Sequence, residues 1–487
     1  MLFSSLVFLF LFLPAVLAVY YLALRKHRQA QNIFLLLASL GFYAWGEPWF
    51  VLVLLLSIGA NWAFGLLMDR VRADRIRSRW VISAMLLFNL TIIFIFKYLM
   101  FTLDNLNRLF GLSIEVARIA LPIGISFFTF QAISYVLDIY YERGKVQRNP
   151  LNVGLYIVFF PQLIAGPIIR YETVAEQIMG RRESFADFSH GVTRFLYGLS
   201  KKILLANNFA LLADNAFNML RWDGLSAAYA WMGILAYAFQ IYFDFSGYSD
   251  MAIGLGKMFG FHFPENFSYP YISRSISEFW RRWHISLGSW FREYVYIPLG
   301  GRRVGSRRRL LINLFIVWGL TGLWHGANWT FISWGLLYFV LIAVEKLFSF
   351  EKRVIPLADR SLLVSILTRS YTLLMVLFGW VLFRAESIAD AFKYLKIMLF
   401  LSDAPAYNLT AVMDLKENAV FFFFGVLFSM PVARWLSARF DARFEDRLGG
   451  RWSPADLRGP ITLLALFVIS MAYLVKGAYN PFIYFNF

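Results

Sequence analysis

Long apolar stretches, separated by short polar segments, run along almost the whole chain. A helix needs roughly 20 apolar residues to cross a hydrocarbon core about 30 Å thick, so each long stretch predicts a membrane-spanning helix. The stretches lie near 1–24, 32–46, 49–68, 80–102, 119–140, 151–170, 225–246, 310–323, 329–348, 362–384, 418–436 and 460–476. Some are too short or too interrupted to cross alone. The pattern therefore predicts an all-α, polytopic integral membrane protein with about ten to twelve transmembrane helices plus re-entrant and interfacial helices.

The composition supports this fold class and argues against others. Of 487 residues, 59% are hydrophobic and only 16% are charged, whereas about a quarter of the residues in a soluble domain are charged. A soluble enzyme and a disordered chain are therefore disfavoured. The chain contains no cysteine, which excludes disulfides, zinc–thiolate sites and a cysteine nucleophile.

Basic residues orient the chain. There are 47 Lys and Arg against 30 Asp and Glu, a formal net charge of +17. Basic clusters border the apolar stretches at Arg25–Arg28, Arg70–Arg79, Glu142–Arg148, Arg302–Arg309, Glu351–Arg353 and Arg434–Arg458. By the positive-inside rule these clusters lie in the cytoplasm. We therefore expect a multi-pass protein of the cytoplasmic (inner) membrane, surrounded by lipid, with both termini extracytoplasmic and no nucleic-acid partner.

Residues 188–205 differ from the apolar stretches. Their apolar side chains have helical spacing, but His190, Arg194, Lys201 and Lys202 lie among them. Two interpretations stay open: an amphipathic helix on the cytoplasmic interface of the membrane, or a loop helix packed on the bundle.

Among the five histidines, His325 stands out because of its expected depth in the membrane. It lies in Trp324-His325-Gly326-Ala-Asn328, between two apolar stretches. About 22 Å of helix separate Leu310 from His325, less than a full crossing. An ionisable group at that depth is costly unless it is used, which favours a functional histidine. A neutral histidine hydrogen-bonded between helices is the alternative.

His284 lies in a segment that is both aromatic and charged. Ser275 and Glu278 have the spacing of a capping box at a helix start, and aromatic residues then recur at steps of three and four along one face. The charges predict a re-entrant or interfacial helix facing the cytoplasm. Arg281 and Arg282 are placed to bind phosphates, either of lipids or of a large cytoplasmic donor.

Two carboxylates, Asp244 and Asp250, lie six residues apart inside an apolar stretch. Six helical steps leave them about 240° apart, on different faces of a helix. A paired-carboxylate acid–base site is therefore disfavoured. Each is expected to bond a neighbouring arginine or backbone group.

Several segments together resemble the membrane-bound O-acyltransferase family. They are Trp324-His325-Gly326 with Asn328-Trp329, Phe279–Ser286, Phe160–Ile168, Asp244–Asp250 and Asn480–Phe485. The chain is most similar to the bacterial branch that O-acetylates an exported polysaccharide such as alginate. The resemblance implies one domain over 1–487, with N-terminal helices (1–118), a motif-bearing core (119–348) and C-terminal helices (349–487). It also implies a thin central core with opposed funnels.

The resemblance assigns roles to particular residues. His325 is the expected catalytic histidine, and His284 is the second signature histidine. The expected substrate-binding residues, for the donor or its tunnel, are Trp324, Asn328, Trp280, Arg281, Arg282, Trp283, Gln162 and Asp244. No metal site and no bound cofactor are expected. The expected donor is a cytoplasmic acyl thioester, acetyl-CoA first among them.

The implied partners are the exported polysaccharide acceptor and a periplasmic or extracellular acetyltransferase that passes the acetyl group to it. Two alternatives stay open. One is D-alanyl transfer from a carrier protein for teichoic acid modification. The other is a glycan-precursor transporter that acylates nothing. Neither the polysaccharide nor the acylated hydroxyl follows from the sequence.

Overall fold

In a computed structural model, every regular element among the described residues is helical. The structure describes residues 1–115, 118–301, 304–432, 435, 454–477 and 479–483. Most of the basic cluster Arg434–Arg458, together with Arg302, Tyr484 and Phe485, lies outside them. The prediction of an all-α chain is confirmed.

The helices of the first half follow the predicted apolar stretches. They are α1 (Leu13–Ala18, between π-helical turns Phe8–Phe12 and Val19–Ala23), α2 (Arg28–Ala44), α3 (Val51–Val71), α4 (Arg75–Ile93), α5 (Leu99–Phe110), α6 (Ile125–Tyr140), α7 (Pro150–Val158), α8 (Phe160–Leu163), α9 (Tyr171–Val174), α10 (Gln177–Gly180), α11 (Phe185–Ser200) and α12 (Asn207–Arg221).

The helices of the second half include several short ones between long apolar ones. They are α13 (Ala227–Met258), α14 (Ile276–Arg282), α15 (Ile285–Phe291), α16 (Arg307–His325), α17 (Trp329–Leu347), α18 (Phe350–Arg353), α19 (Ile355–Arg360), α20 (Leu362–Arg384), α21 (Ile388–Met398), α22 (Leu409–Ser429) and α23 (Pro454–Lys476).

Several of these helices are long and apolar enough to cross a membrane. Among the described residues five qualify by length and composition: Val51–Val71, Arg75–Phe110, Trp329–Leu347, Leu362–Arg384 and Gly459–Lys476. Phe8–Ala23 and Ile125–Tyr140 are shorter apolar helices. The chain is thus a multi-pass membrane protein, while the number of ten to twelve crossings stays a prediction.

The apolar stretch at 151–170 is not one helix. α7 ends at Val158, Phe159 has ψ of 118°, and α8 begins at Phe160 with Pro161 in its first turn. A proline lacks the N–H that would continue the helix, and its ring clashes with the carbonyl group four residues before it, here that of Ile157. Hydropathy does not reveal the break because the residues on both sides are apolar.

Compactness divides the chain into two units. The first comprises Met1–Phe195 and Tyr248–Glu265, and the second comprises Leu196–Gly247 and Asn266–Phe487. Gln162 belongs to the first unit, and the other candidate site residues belong to the second. The single domain over 1–487 and its three-part division stay predictions.

The predicted helix at 188–205 is present, and its start, which lies in the first unit, packs on α13. A Cβ added to Gly191 would lie 2.6 Å from the carbonyl oxygen of Gly254, so the two backbones touch. Arg194 lies between two carboxylates, 2.6 Å from Asp250 and 2.5 Å from Glu265. This contact favours the packed-helix interpretation at this end, and the expected arginine partner of Asp250 is confirmed.

In the second unit, glycines bring α16 and α17 together. A Cβ on Gly322 would lie 2.6 Å from the carbonyl oxygen of Phe331, and one on Gly335 would lie 2.5 Å from that of Trp318. Only glycine permits such close backbone approach, a common feature of helix pairs in membranes. The close packing places the end of α16 against the start of α17, where His325 lies.

Candidate active site

His325 is the last residue of α16 and is buried among aromatic rings. Its ring centroid lies 4.7 Å from that of Trp324, 4.8 Å from Trp334 and 4.9 Å from Phe383, all close to edge-to-face. These rings come from α16, α17 and α20. His325 is thus buried among helices, and the surrounding rings keep bulk water from its imidazole. Its depth in the membrane stays a prediction.

The residues after His325 form the turn between α16 and α17, the corner in which His325 lies. Gly326 has an extended backbone, and a Cβ there would lie 2.4 Å from the ring of Phe331. Asn328 starts α17 as its N-cap, because its side chain accepts a 3.0 Å hydrogen bond from the N–H of Thr330. Its amide also donates to the backbone oxygen of Glu386. The segment therefore turns the chain sharply from one helix into the next.

His284 is equally buried and is held by Asn266. Its Nδ1 lies 3.1 Å from Oδ1 of Asn266, and the same oxygen accepts hydrogen bonds from the N–H and the hydroxyl of Ser286. Because the N–H of Ser286 donates to this atom, it is the amide oxygen of Asn266, which can only accept hydrogen bonds. The proton of His284 therefore lies on Nδ1, and its Nε2 is the acceptor nitrogen. Burial lowers the pKa of His284 to about 3, so the ring is neutral near pH 7.

The segment around His284 is not the single helix that the aromatic spacing predicts. α14 ends at Arg282, and His284 has φ of 47° and ψ of 53°, in the left-handed region, before α15 starts at Ile285. A residue other than glycine rarely adopts this conformation unless its surroundings impose it. Here the hydrogen bonds to Asn266 impose it, so the continuous aromatic face is broken.

Trp324 links the two histidines. Its ring centroid lies 5.9 Å from that of His284 and 4.7 Å from that of His325. The two signature histidines are far apart in sequence, and the fold brings both of them into contact with one indole. This arrangement supports a common site, which the sequence could only assume.

An aromatic cluster, formed by Trp280, Trp318, Trp334 and Tyr338, adjoins His325. The Trp280 ring lies 5.1 Å from Trp318, 5.4 Å from Trp334 and 4.9 Å from Tyr338. Trp334 and Tyr338 are four residues apart on α17, so they share one face of that helix. Trp334 in turn contacts His325.

A charged cavity of about 350 Å³ lies along α14, the helix that also carries Trp280. Its lining residues are Arg274, Ser275, Glu278, Arg281, Arg282, Glu351 and Ile355. Each arginine has a carboxylate partner: the lengths are 2.5 Å for Arg274–Asp359, 2.6 Å for Arg281–Glu351 and 2.8 Å for Arg282–Glu278.

Glu351 lines this cavity and pairs with both Arg281 and Lys346. Although burial opposes ionisation, hydrogen bonds from Lys346 and Arg281 hold the pKa of the Glu351 carboxyl below its usual value. The phosphates of an anionic ligand can therefore replace these carboxylates as the partners of the arginines in the cavity.

α14, which carries this arginine pair, is anchored at its start. The hydroxyl of Ser275 accepts a 3.0 Å hydrogen bond from the N–H of Glu278, as the capping-box spacing predicts. Glu345 of α17 accepts hydrogen bonds from the N–H groups of Ile276 and Ser277. Sequence reasoning missed Glu345, although a carboxylate inside an apolar stretch is a signal in itself.

The contacts of Trp283 and Asp244 lie within the protein, and their substrate-binding roles stay predictions. Trp283 is buried against Phe279 and Trp380, with ring centroids 5.5 and 5.0 Å away. Asp244 pairs with Lys202 at 2.7 Å and accepts a hydrogen bond from the N–H of Ile483. The expected backbone partner of Asp244 is thus present, but its charged partner is a lysine.

Gln162, in the first unit, is buried and donates to the backbone oxygen of Tyr156. Its substrate-binding role stays a prediction. Over the residues that the structure describes, no group of three or more His, Asp or Glu side chains is placed to hold a metal ion.

The sequence profile of the membrane-bound O-acyltransferase family matches residues 74–385. The chain belongs to this family. The matched region contains His284, His325 and the charged cavity. As a member of the membrane-bound O-acyltransferase family, the chain is an O-acyltransferase, and both the predicted family and the predicted enzyme class are confirmed.

Relatives of this O-acyltransferase refine the comparison. A Pseudomonas putida protein described as "Probable alginate O-acetylase AlgI" is 39% identical over 100% of both chains. A Helicobacter pylori peptidoglycan O-acetyltransferase is 36% identical over 84% of this chain and 82% of its own. A Bacillus subtilis teichoic acid D-alanyltransferase is 30% identical over 54% of this chain and 69% of its own. The predicted likeness to the alginate-acetylating branch is confirmed.

Proposed function

We propose that this membrane O-acyltransferase moves an acetyl group from a cytoplasmic thioester, acetyl-CoA, toward an exported polysaccharide of the alginate type. The observation that carries the proposal is that two buried histidines both contact the indole of Trp324. The same unit of the chain also contains a charged cavity. The full-length likeness to alginate O-acetylases supports the acetyl group and the acceptor class.

His325 is the proposed general base. An imidazole has a pKa near operating pH, which suits proton transfer. It takes the proton of an acceptor hydroxyl while that oxygen bonds to the thioester carbonyl carbon. The carbon–sulfur bond then breaks, and the departing thiolate takes the proton from His325 and leaves as a thiol.

His284 is the proposed orienting group. With Nδ1–H directed at Asn266, the neutral ring presents an acceptor at Nε2. An acceptor positions an N–H or O–H of a substrate, whereas stabilising a carbonyl oxyanion would require a proton on Nε2. The geometry therefore favours the orienting role over charge stabilisation.

Arg281 and Arg282 are the proposed phosphate contacts of the donor. Guanidinium groups bind phosphates in bidentate fashion. Donor phosphates would replace Glu351 and Glu278 as their partners. Trp280, beside Arg281, and Trp324, beside His325, complete the proposed donor contacts, with Asn328 holding the turn between α16 and α17.

The basic clusters support a cytoplasmic donor side and an inner-membrane location with an extracytoplasmic N-terminus. The acetyl group would leave on the opposite side, where an extracytoplasmic acetyltransferase partner would pass it to the polymer. Since the donor enters and the product leaves on different faces, acetyl-CoA never has to cross the membrane.

The test compares His325→Ala with His190→Ala, which changes an exposed histidine on α11. Folded protein in membranes is verified first, and the O-acetyl content of the exported glycan is then measured. We expect loss of acetylation with His325→Ala and near-normal acetylation with His190→Ala. Wild-type acetylation in His325→Ala would refute the assignment.

D-alanyl transfer is the second candidate, because the D-alanyltransferase of Bacillus subtilis matches about half of this chain. Release of free coenzyme A by the purified protein from acetyl-CoA supports acetyl transfer. Consumption of a D-alanyl carrier-protein thioester, with acetyl-CoA left intact, supports the second candidate. A transporter would consume neither thioester.

A further inference from the structure

The tail segment, residues 479–483, is tied to two helices of the second unit through one carboxylate. The hydroxyl of Tyr479 donates a hydrogen bond to Oδ2 of Asp214 on α12. Arg384, the last residue of α20, donates to the other oxygen, Oδ1, at 2.6 Å. Asp214 therefore bridges the tail segment and α20, with one oxygen for each of them.

The other end of the tail segment is buried between helices. The N–H of Ile483 donates to Asp244 of α13 at 2.9 Å, and Lys202 donates to the backbone oxygen of Pro481. Phe482 and Ile483 are buried, and the Phe482 ring centroid lies 5.8 Å from the amine of Lys202. The tail segment is thus held at both ends by charged side chains of the helices around it.

The bridge at Asp214 lies one residue away from the lining of the candidate active site. Arg384 directly follows Phe383, whose ring centroid is 4.9 Å from that of His325 and 5.2 Å from that of Trp334. Phe383 is buried. Because Asp214 fixes Arg384, it also fixes the end of α20 and the ring that covers one side of the His325 imidazole.

We propose that Tyr479 and Asp214 are positioning residues of the transfer reaction, acting on His325 through Arg384 and Phe383. With the tail segment in place, both oxygens of Asp214 have a partner and the carboxylate has one orientation. Without the Tyr479 hydroxyl the carboxylate can turn, so Arg384 and the ring before it lose their fixed position. This inference rests on the proposed function, because it assumes that His325 acts on an acceptor hydroxyl.

The expected membrane orientation puts this contact on the side of the acceptor. α20 begins shortly after the basic cluster Glu351–Arg353, which the positive-inside rule assigns to the cytoplasm. Arg384 ends the same helix, so it would lie on the opposite side, where the acceptor hydroxyl arrives in the proposed reaction. The side chains of Asp214 and Arg384 are each 30% exposed, whereas His325 is buried.

A displaced ring beside His325 would admit water in place of the acceptor. A closed transfer site excludes water because water competes for the reactive group. When a water oxygen bonds to the thioester carbonyl carbon, His325 takes one water proton and the carbon–sulfur bond breaks. The departing thiolate then takes that proton, so the products are acetic acid and coenzyme A. Positioning therefore sets the ratio of transfer to hydrolysis, which the amount of folded protein does not change.

The deciding variant is Tyr479→Phe, which removes the hydroxyl and keeps the ring. The matched control is Tyr473→Phe: both tyrosines are 41% exposed, and the Tyr473 hydroxyl has no hydrogen-bond partner among the described residues. Asp214→Asn is a second variant, which keeps the size of the side chain and removes the charge that holds Arg384.

Two quantities are measured for each full-length variant and divided by the amount of folded protein in membranes. One is the O-acetyl content of the exported glycan in cells. The other is the release of coenzyme A from acetyl-CoA by purified protein in lipid nanodiscs, with no acceptor present, which reports hydrolysis.

We expect Tyr479→Phe to lower the O-acetyl content by about 3- to 10-fold, the effect of one lost hydrogen bond. Its release of coenzyme A without acceptor should equal or exceed that of wild type. Asp214→Asn should show the same pattern more strongly, because Arg384 then loses its charged partner directly. Tyr473→Phe should equal wild type in both measurements.

Two results would overturn the inference. One is unchanged O-acetylation in both Tyr479→Phe and Asp214→Asn. The other is a parallel fall of O-acetylation and of coenzyme A release, which would mean that the contact only supports the fold. If wild type neither acetylates the glycan nor releases coenzyme A, the proposed function fails. If wild type acetylates the glycan and only the variant effect is missing, this inference alone fails.

Discussion

Glu345 of α17 caps the start of α14 by accepting a 2.6 Å hydrogen bond from the backbone N–H of Ile276. Its second oxygen accepts from the N–H and the hydroxyl of Ser277, at 2.9 and 2.7 Å. A buried carboxylate that satisfies three donors fixes one short helix against a long one. That short helix carries Trp280, Arg281 and Arg282, so the cap sets the position of the proposed donor site.

Replacing this cap should weaken both the fold and donor binding. Glu345→Ala leaves three buried donors without their acceptor, at about 1–3 kcal/mol for each group. We expect a lower thermal midpoint and a higher KM for the donor than in wild type. Glu345→Gln keeps one acceptor oxygen, so its thermal midpoint and its KM should lie between those of wild type and Glu345→Ala. Unchanged stability and KM in Glu345→Ala would contradict the role of the cap.

The low pKa of His284 predicts how stability depends on pH. Burial holds that pKa at about 3, below the ordinary value of 6.5. Below pH 6.5, His284 therefore binds a proton in the unfolded chain but stays neutral in the native protein. Stability should then fall as pH decreases, by up to about 1.4 kcal/mol per pH unit for this group.

Thermal unfolding between pH 7.5 and pH 5 measures this dependence. His284→Gln should flatten the decline on the acid side, because the titrating group is gone. The control His190→Gln changes an exposed histidine and should keep the wild-type slope. An identical slope in His284→Gln and wild type would show that other groups cause the acid instability.

Gly326 should be required for activity because of the space beside it. A methyl group there would lie 2.4 Å from the ring of Phe331, which must then move within the corner that holds His325. A displacement of about 1 Å at a reacting group can reduce turnover about 100-fold. We therefore expect Gly326→Ala to fold and to lose about 10- to 100-fold in turnover, measured as thioester consumption.

The control for this substitution is Gly319→Ala within α16, where a Cβ would meet nothing within 4 Å. That variant should keep normal turnover. Equal turnover in the two variants would mean that Phe331 moves aside without disturbing His325.

The buried pair Lys202–Asp244 should stabilise the fold rather than take part in the reaction. Both side chains are nearly inaccessible, and Lys202 also donates to the backbone oxygen of Pro481 in the tail. Removing one partner of a buried ion pair typically costs about 3–5 kcal/mol. Lys202→Met should therefore lower the thermal midpoint strongly.

The exposed pair Arg221–Glu386 provides the comparison. Exposed ion pairs contribute less than about 1 kcal/mol to the free energy of unfolding. Arg221→Ala should scarcely change the midpoint. In the double variant Lys202→Met/Asp244→Leu, part of the lost stability should return because no buried charge is left alone. Similar midpoints for Lys202→Met and Arg221→Ala would contradict a structural role for the buried pair.

The features that depend on local composition and on short spacings can be predicted from the sequence. Apolar stretches placed most of the long helices, and the Ser275–Glu278 spacing gave the start of α14. The position of His325 after an apolar run indicated a buried histidine, and the motifs around it indicated the family. Such features are set by residues within a few turns of one another, so a pattern along the chain reveals them.

The features that depend on partners far apart in the sequence appear only in the folded chain. Glu345 lies 69 positions from Ile276, and Asn266 lies 18 from His284. The left-handed conformation at His284 exists because Asn266 holds it, and nothing in the sequence near either residue predicts it. Trp324 similarly joins two histidines that no spacing rule connects. Buried polar groups such as these are stable only when they are hydrogen-bonded, and their partners come from segments that meet only in the folded chain. A local stretch of sequence therefore does not reveal them.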